Sequence, residues 1–280
     1  MKKINFGNII RIIFLVILAA LTLFPVIYTV LGSFKSTSEI LLGGINIFPK
    51  EFNLENYKEA WVIADFKTYT INSIYYSATV VAATIFTSCM GGYVFAKGDF
   101  IGKKIVFAIF SSTMFIALGS ASLYPTLKIA RLLHLNNSIW GVVVIRAFGL
   151  NIANVYLVKS FVKTLPQGIL EAGKIDGCGF FGNFIRIVLP LLKPMIATLA
   201  ILSFQGAWND YLLPMVFTIS NKKQAPLAVG LANLKSSSQA ATNWGIIFAG
   251  ACFCIIPILI VYCIFNRYFV EGITAGSVKE

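Results

Sequence analysis

Glu171-Ala-Gly-Lys-Ile-Asp-Gly177, followed ten residues later by Ile187-Val-Leu-Pro190, is a polar, glycine-punctuated stretch set between strongly apolar segments. Its surroundings give it meaning. The 280-residue chain is 58% hydrophobic and only 12% charged, with a mean hydropathy of +0.81. A soluble domain cannot cover that much apolar surface with so few charges, so the composition reads as a polytopic membrane protein. The net charge of +12 then belongs to Lys and Arg flanking the spans, where they set orientation. Nucleic acid is excluded as a partner, because no basic stripe is interleaved with exposed aromatics.

A helical span needs about 20 apolar residues. Six stretches qualify, near 10–31, 70–96, 105–127, 138–158, 192–218 and 244–265. The first is too long for a signal-peptide core and contains Pro25, so it counts as a span. Lys2, Lys3 and Arg11 precede it, Lys97, Lys103 and Lys104 crowd the next short turn, and Lys159, Lys163, Lys174, Arg186 and Lys193 occupy the polar stretch. With Arg267 and Lys279 at the end, this pattern places both termini and residues 159–191 in the cytoplasm. Residues 32–69 form a long extracytoplasmic loop, in which Asn53 to Trp61 reads as an interfacial helix with Tyr57 and Trp61 on one face. The chain reads as one all-α membrane domain over 1–280. Cys89, Cys178, Cys252, Cys254 and Cys263 have no metal-ligand spacing, and His134 is the lone histidine. No metal site or disulfide framework is expected.

The polar stretch has its own architecture. Thr164-Leu-Pro166 reads as a helix start, with a hydroxyl cap and a proline in the first turn. A helix over about 166–176 would end at Gly177 in the left-handed conformation. A second helix from about 179 would carry Phe180, Phe181, Phe184, Ile187 and Val188 at helical spacing. Pro190 and Pro194 then divide it from the fifth span. A connector needs only a few residues, so two helices about a turn favour a docking element over the alternative of a plain connecting hairpin, with Glu171, Lys174 and Asp176 near the tip.

These residues, Glu171-Ala-Gly-x-x-Asp176-Gly177-x9-Ile187-x-Leu189-Pro190, resemble the EAA loop of ABC importer permeases. Gly173 and Cys178 stand where alanines are usual. Ser33-Phe-Lys35 with Glu39-Ile40, Pro49 with Asn56-Tyr57, Asn72-Ser73, Gly102-Lys-Lys104, Trp208 to Pro214 and Arg267 to Lys279 extend the likeness over nearly the whole chain. They are similar to the carbohydrate-importer branch and, within it, to the MalG-like subunit. The resemblance implies the MetI-like permease fold and a non-catalytic subunit in the cytoplasmic membrane that passes a di- or oligosaccharide. It implies partners: a MalF-like second permease, two cytosolic ATPase subunits that bind ATP and Mg, and an extracellular solute-binding protein. It implies that Glu171, Ala172, Gly173, Asp176 and Gly177 couple this chain to an ATPase. On an independent point, the chain has no G-x4-G-K-[ST] loop, so it does not itself cradle nucleotide phosphates.

Within the spans, Arg146 is costly to bury and must face a cavity, a partner or a carboxylate. Trp208, Asn209, Asp210 and Tyr211 bring together amide, carboxylate and aromatic groups, the kit that binds sugars, but also a set for interhelical hydrogen bonding. All five are translocation-pathway candidates. Asn72, Ser73, Asn151 and Asn154 are weaker ones, since span-end asparagines cap helices. Pro25, Pro125, Pro214 and Pro257 read as kinks or hinges. A secondary transporter or channel with 160–190 as a cytosolic gate is the competing reading. It is disfavoured by six spans without a doubled pattern and by few midplane ionisable groups.

Overall fold

Lipid offers no partners to backbone N–H and C=O groups, so an apolar chain satisfies them within helices. The computed structural model describes residues 6–44, 46–63, 65–116, 119–149, 151–236 and 243–277, with side chains described within residues 7–265. Among the described residues every regular element is helical. In order they are α1 Phe6–Gly32, α2 Thr37–Leu42, α3 Glu55–Ile63, α4 Phe66–Lys97, α5 Lys103–Ser112, α6 Leu123–Leu132, α7 Ile139–Phe148 and α8 Ile152–Thr164. There follow α9 Gln167–Ile175, α10 Phe180–Asn183, α11 Leu189–Leu191, α12 Lys193–Trp208, α13 Leu212–Phe217, α14 Leu227–Ser236 and α15 Trp244–Ser277. Lys2, Lys3 and Lys279, used above for orientation, lie outside the described residues.

Three described helices are long and apolar enough to cross a membrane alone: Gly7–Gly32, Phe66–Lys97 and Trp244–Phe265. Two more qualify as bent pairs, α7 with α8 at 41° and Phe180–Leu191 with α12 at 78°. The stretch expected to span at 105–127 is instead two ten-residue helices, α5 and α6, with 3-10 turns at Thr113–Phe115 and Gly119–Ser122. At the end of α5 the Ser112 and Thr113 hydroxyls bond the carbonyls of Ile109 and Phe110 at 2.7 and 2.6 Å. Gly119 then turns the chain at φ +50°. Pro125 and Pro214 stand third in α6 and α13, in first turns where a missing N–H is harmless. Of these four prolines only Pro25 and Pro257 lie beyond a first turn, in helix interiors.

The chain divides into two units, Met1–Lys67 with Gly230–Pro257, and Thr68–Val229 with Ile258–Glu280. In the first unit, α2 is capped by Ser36, whose Oγ accepts from Glu39 N at 3.2 Å. Asn56 on α3 is buried and donates to the Ser33 and Lys35 carbonyls at 2.8 and 2.9 Å. Gly245 leaves it room: a Cβ there would lie 2.5 Å from both Asn56 Nδ2 and Lys35 O. Tyr57 and Trp61 do share a face, and both rings meet Phe253, at centroid distances of 5.6 and 5.2 Å. Burial pushes the Tyr57 hydroxyl up to about 12, against the 2.7 Å hydrogen bond with Ser33 Oγ that pulls it down.

In the second unit, α4 is the long element on which others pack. Gly92 brings it against α8, where an added Cβ would sit 2.5 Å from Val158 Cβ and 2.9 Å from Lys159 N. Small residues allow this backbone approach in membrane helix pairs. Asn72 and Ser73 do not cap α4. Asn72 Nδ2 donates to the Lys223 and Ala225 carbonyls at 2.7 and 2.9 Å, and Ser73 Oγ accepts from Leu227 N at 2.7 Å. They tie the 222–227 segment to α4. One apolar cluster gathers Cys89, Tyr93, Val158, Leu170, Phe184 and Leu199, and another gathers Tyr76, Val80, Val142, Ala207 and Phe217.

Gly92→Val is expected to force α4 away from α8 at a cost of about 1–3 kcal/mol, because a backbone amide cannot yield as a side chain would. The purified chain should lose thermal stability in detergent by differential scanning fluorimetry. An unchanged midpoint would contradict the close packing.

Candidate functional site

The polar stretch folds as two short helical elements about Gly177. Thr164 does not cap α9. It ends α8, and its hydroxyl donates to Phe161 O at 2.7 Å. Pro166 occupies the cap position of α9 instead. Within α9, Gln167 Nε2 donates to Glu171 Oε1 at 2.9 Å, one turn along the same face. The helix ends as expected at Gly177, with φ +81°. Cys178 N bonds Gly173 O at 2.9 Å and Gly177 N bonds Lys174 O at 3.1 Å, the paired bonds of a Schellman termination.

The returning element is less regular than its spacing predicts. After α10, residues Phe184–Val188 widen into a π-helix in which Leu189 N reaches Phe184 O. Pro190 has no N–H to give to Arg186 O, so the ladder slips by one residue. The chain then turns at Leu192, with Pro190 and Pro194 both in first turns.

This hairpin is fastened to the long helices. Tyr93 Oη donates to Phe180 O at 3.2 Å, and its ring lies 4.6 Å from Phe180 and 5.3 Å from Phe184. Leu170, Phe184 and Val188 are buried in the cluster that includes Val158, Val162 and Met195. The opposite face is bare. Glu171, Ala172, Lys174, Asp176 and Gly177 are exposed, and Ile175 is 87% exposed. Gly173 differs from its neighbours. It is buried, and an added Cβ would collide with Asn183 Oδ1 and Ile187 Cδ1. Its small size serves packing inside the hairpin, where Asn183 Nδ2 also donates to Leu170 O at 3.3 Å.

The second set of candidates meets where helices break. Arg146 stands in the last turn of α7, and Asp210 between α12 and α13. Arg146 Nη2 and Nε reach Asp210 Oδ2 at 2.6 and 3.1 Å. Tyr76 Oη on α4 donates to the same oxygen at 2.8 Å. The Asp210 side chain is 7% exposed, and that of Arg146 is 47% exposed. The other three candidates are near but differently placed. Trp208 is buried with its ring stacked 5.3 Å from Phe204, Asn209 is exposed at the end of α12, and Tyr211 is exposed at the start of α13. Asn151 caps α8, accepting from Asn154 N at 3.3 Å.

Tyr76 was not legible as a site residue, since an aromatic on an apolar helix gives no local sign of a partner 134 positions away. A cavity of about 360 Å³ touches the pair and is lined by Gly119, Ser122, Thr126, Arg146, Asp210 and Leu212. A second, of about 240 Å³, is lined by Thr84, Arg146, Asn151, Asn154, Ser203 and Gly206 among others. Polar cavities at interrupted helices are where transporters hold their cargo.

An all-helical chain with an exposed hairpin and polar helix breaks among apolar spans has the build of a transport permease. Residues 84–274 match the family described as the binding-protein-dependent transport system inner membrane component, and the chain belongs to that family. It is 33% identical to the arabinooligosaccharides transport system permease protein AraQ of Bacillus subtilis (strain 168), over 95% of this chain and 94% of that protein. It is 29% identical to the diacetylchitobiose uptake system permease protein NgcG of Streptomyces coelicolor, over 95% of this chain and 87% of that one. It is 27% identical to the maltodextrin transport system permease protein MalD of Streptococcus pneumoniae, over 95% and 94%. Its fold matches a chain of a bacterial ABC transporter involved in the import of the acidic polysaccharide alginate. The TM-score is 0.83 at 24% identity, covering 96% of this chain and 100% of that one. The MetI-like permease fold is thus the fold of this chain.

Two outcomes are expected from this geometry. Gly173→Ala should fall short of the about 1 kcal/mol that alanine gains in a helix, because the side-chain tips of Asn183 and Ile187 must move aside to admit it. Asn183→Ala should recover part of that shortfall in a double-mutant cycle on thermal unfolding, and strictly additive effects would contradict the contact. At the ion pair, Arg146→Met should lower the unfolding midpoint more than Asp210→Leu. The first strands a nearly buried carboxylate, and the second leaves a half-exposed guanidinium. The reverse order would contradict the assigned burial.

Proposed function

We propose that this chain is a transmembrane permease subunit of an ATP-driven importer, and that it carries a di- or oligosaccharide across the cytoplasmic membrane. The observation that carries this reading is the hairpin: one face is sewn to α4, α8 and α12, and the other presents Glu171, Ala172, Lys174, Ile175 and Asp176 to a partner. An exposed apolar residue flanked by charges at the tip of a rigid element suits insertion into a cleft on another protein. Membership in a family of binding-protein-dependent transport components supports the partners: two cytosolic ATPases, a second, MalF-like permease and an extracellular solute-binding protein. ATP and Mg then belong to the ATPases. The relatives named for arabinooligosaccharides, diacetylchitobiose and maltodextrin support a carbohydrate cargo.

In this reading the chain is a single membrane domain of six spans, the fourth formed by α7 with α8 and the third by the broken α5–α6 stretch. Both termini and residues 159–191 face the cytoplasm, and residues 32–69 face outward. Glu171, Asp176 and Gly177 form the contact with the ATPase. Gly173 supports it from beneath, by letting α9 lie close on the π-helical segment. Arg146 and Asp210 line the route, with Trp208, Asn209 and Tyr211 around them. The chain performs no chemistry of its own. Its hairpin converts closure of the ATPases into movement of α4, α8 and α12.

Glu171→Lys in the reconstituted complex is expected to abolish ATP hydrolysis stimulated by the sugar-loaded binding protein, while the chain still inserts and assembles with the second permease. Stimulated hydrolysis at the wild-type rate would remove the hairpin from the coupling step.

A further inference from the structure

The smaller cavity carries an inference that rests on the carbohydrate reading and goes beyond it. Most hydroxyls within the described apolar helices are satisfied by their own backbone. Ser77, Thr79, Thr87 and Thr198 donate to the carbonyl four residues back, at 2.5, 2.7, 2.9 and 3.3 Å, as helical Ser and Thr do in apolar surroundings. Ser203 on α12 does not. Its Oγ is buried without a hydrogen-bond partner, and Ser203 lines the cavity with Thr84, Arg146, Asn151 and Asn154. Ser88 and Ser111 also lack partners, but neither lines this cavity. A buried hydroxyl left unpaired costs free energy unless a ligand or water completes it.

The lining selects the ligand. Among its described residues no Asp or Glu is present, and the carboxylate of Asp210 is already taken by Arg146, so the cavity offers a cation no free countercharge. An apolar ligand would leave the hydroxyls and amides unpaired. Hydroxyls that both donate and accept match Ser, Thr and Asn side chains, and a guanidinium adds donors. Arg146 uses Nε and Nη2 on Asp210, which leaves Nη1 outside that pair. At about 240 Å³ the cavity is smaller than the roughly 300–1,000 Å³ that encloses a whole drug-sized ligand, and fits one ring of a longer chain. We propose that this cavity is a subsite for a single sugar ring, held by hydrogen bonds from Arg146 and Thr84 and from the Ser203 hydroxyl once it turns out of its buried, unpaired position, so that this subunit contacts the cargo itself.

Gly206 supplies the test, because it lines the cavity and a Cβ added there meets nothing within 4 Å. The assembled complex with its binding protein is reconstituted in proteoliposomes and offered radiolabelled arabinotriose, galactotriose, maltotriose and N,N′-diacetylchitobiose. If the wild type takes up none, the carbohydrate reading fails and the subsite with it. Where the wild type takes one up, Gly206→Ala, Gly206→Val and Gly206→Leu are expected to lower its uptake in order of size, with Leu reducing it roughly tenfold or more. Ser203→Ala is expected to raise the KM for that sugar about three- to tenfold. Wild-type kinetics in Gly206→Leu and Ser203→Ala would overturn the subsite and leave the carbohydrate reading standing. A second measurement does not depend on Gly206→Leu assembling. A water-soluble methanethiosulfonate reagent should label Gly206→Cys above the wild-type background, and the transported sugar should slow that labelling. Labelling that the sugar leaves unchanged would overturn the subsite.

Discussion

A helix interrupted inside a membrane frees backbone groups that lipid cannot satisfy, so every break must bring its own partners. Three breaks in the second unit fall under this constraint: between α5 and α6, between α7 and α8, and at 209–211. Side chains serve two of them: Asn151 caps α8, and the hydroxyls of Ser112, Thr113 and Ser122 take carbonyls at the ends of their turns; at the third the N–H groups of Asn209 and Asp210 bond back to Gln205 and Ala207. Residues from all three segments or their flanks line one cavity, and Arg146 and Asp210 join two of them directly. Tyr76, Val142, Ala207 and Phe217 pack around that junction as one apolar cluster. The breaks therefore work together: the polar groups that one segment exposes are answered by the next.

The class of the molecule was legible in its composition, and the hairpin in local chemistry. Gly177 ends α9 in the left-handed conformation because only its own turn decides that. What local pattern could not reveal depended on distant partners. The 105–127 stretch is apolar enough to read as a continuous span, yet it divides into α5 and α6, with Gly119 in the left-handed conformation between them. Thr164 and Pro166 look like a cap and a first turn, but α8 runs through Thr164 and claims its hydroxyl. In the sequence Gly173 is marked only as standing where an alanine is usual. The cause of its small size is Ile187 and Asn183, ten or more residues further on. Of the five pathway candidates, the pairing of Arg146 with Asp210 joins residues 64 apart, and no periodicity records such a bond.

The long α4 connects the two sites physically. Near one end Tyr93 bonds the hairpin at Phe180, and near the other Tyr76 bonds Asp210 at the helix breaks. At about 1.5 Å per residue the two tyrosines are roughly 25 Å apart along one uninterrupted helix. Tight packing at Gly92 holds α8 against the same rod. An element of this kind moves as a whole, because close-packed helices shift by repacking and do not deform smoothly. In the coupling proposed above, α4 would carry a displacement of the hairpin to the cavity as one packed element.

Stability alone does not account for the ion pair at the cavity. A well-packed apolar pair of similar volume often holds a buried position as firmly as two charges, because desolvation offsets their attraction. Here Asp210 is nearly buried while Arg146 stands half in the open, and the guanidinium borders both cavities. Such an arrangement keeps a charged donor at a polar surface deep among apolar helices, held by a carboxylate that Tyr76 also fixes. Uncharged hydroxyls and amides supply the rest of the smaller cavity's polar lining. With the Arg146 charge answered by Asp210, a polar surface without a free carboxylate offers a cation no partner and gives apolar molecules nothing to bind. Hydroxyl-rich cargo of the kind proposed above would find both donors and acceptors there.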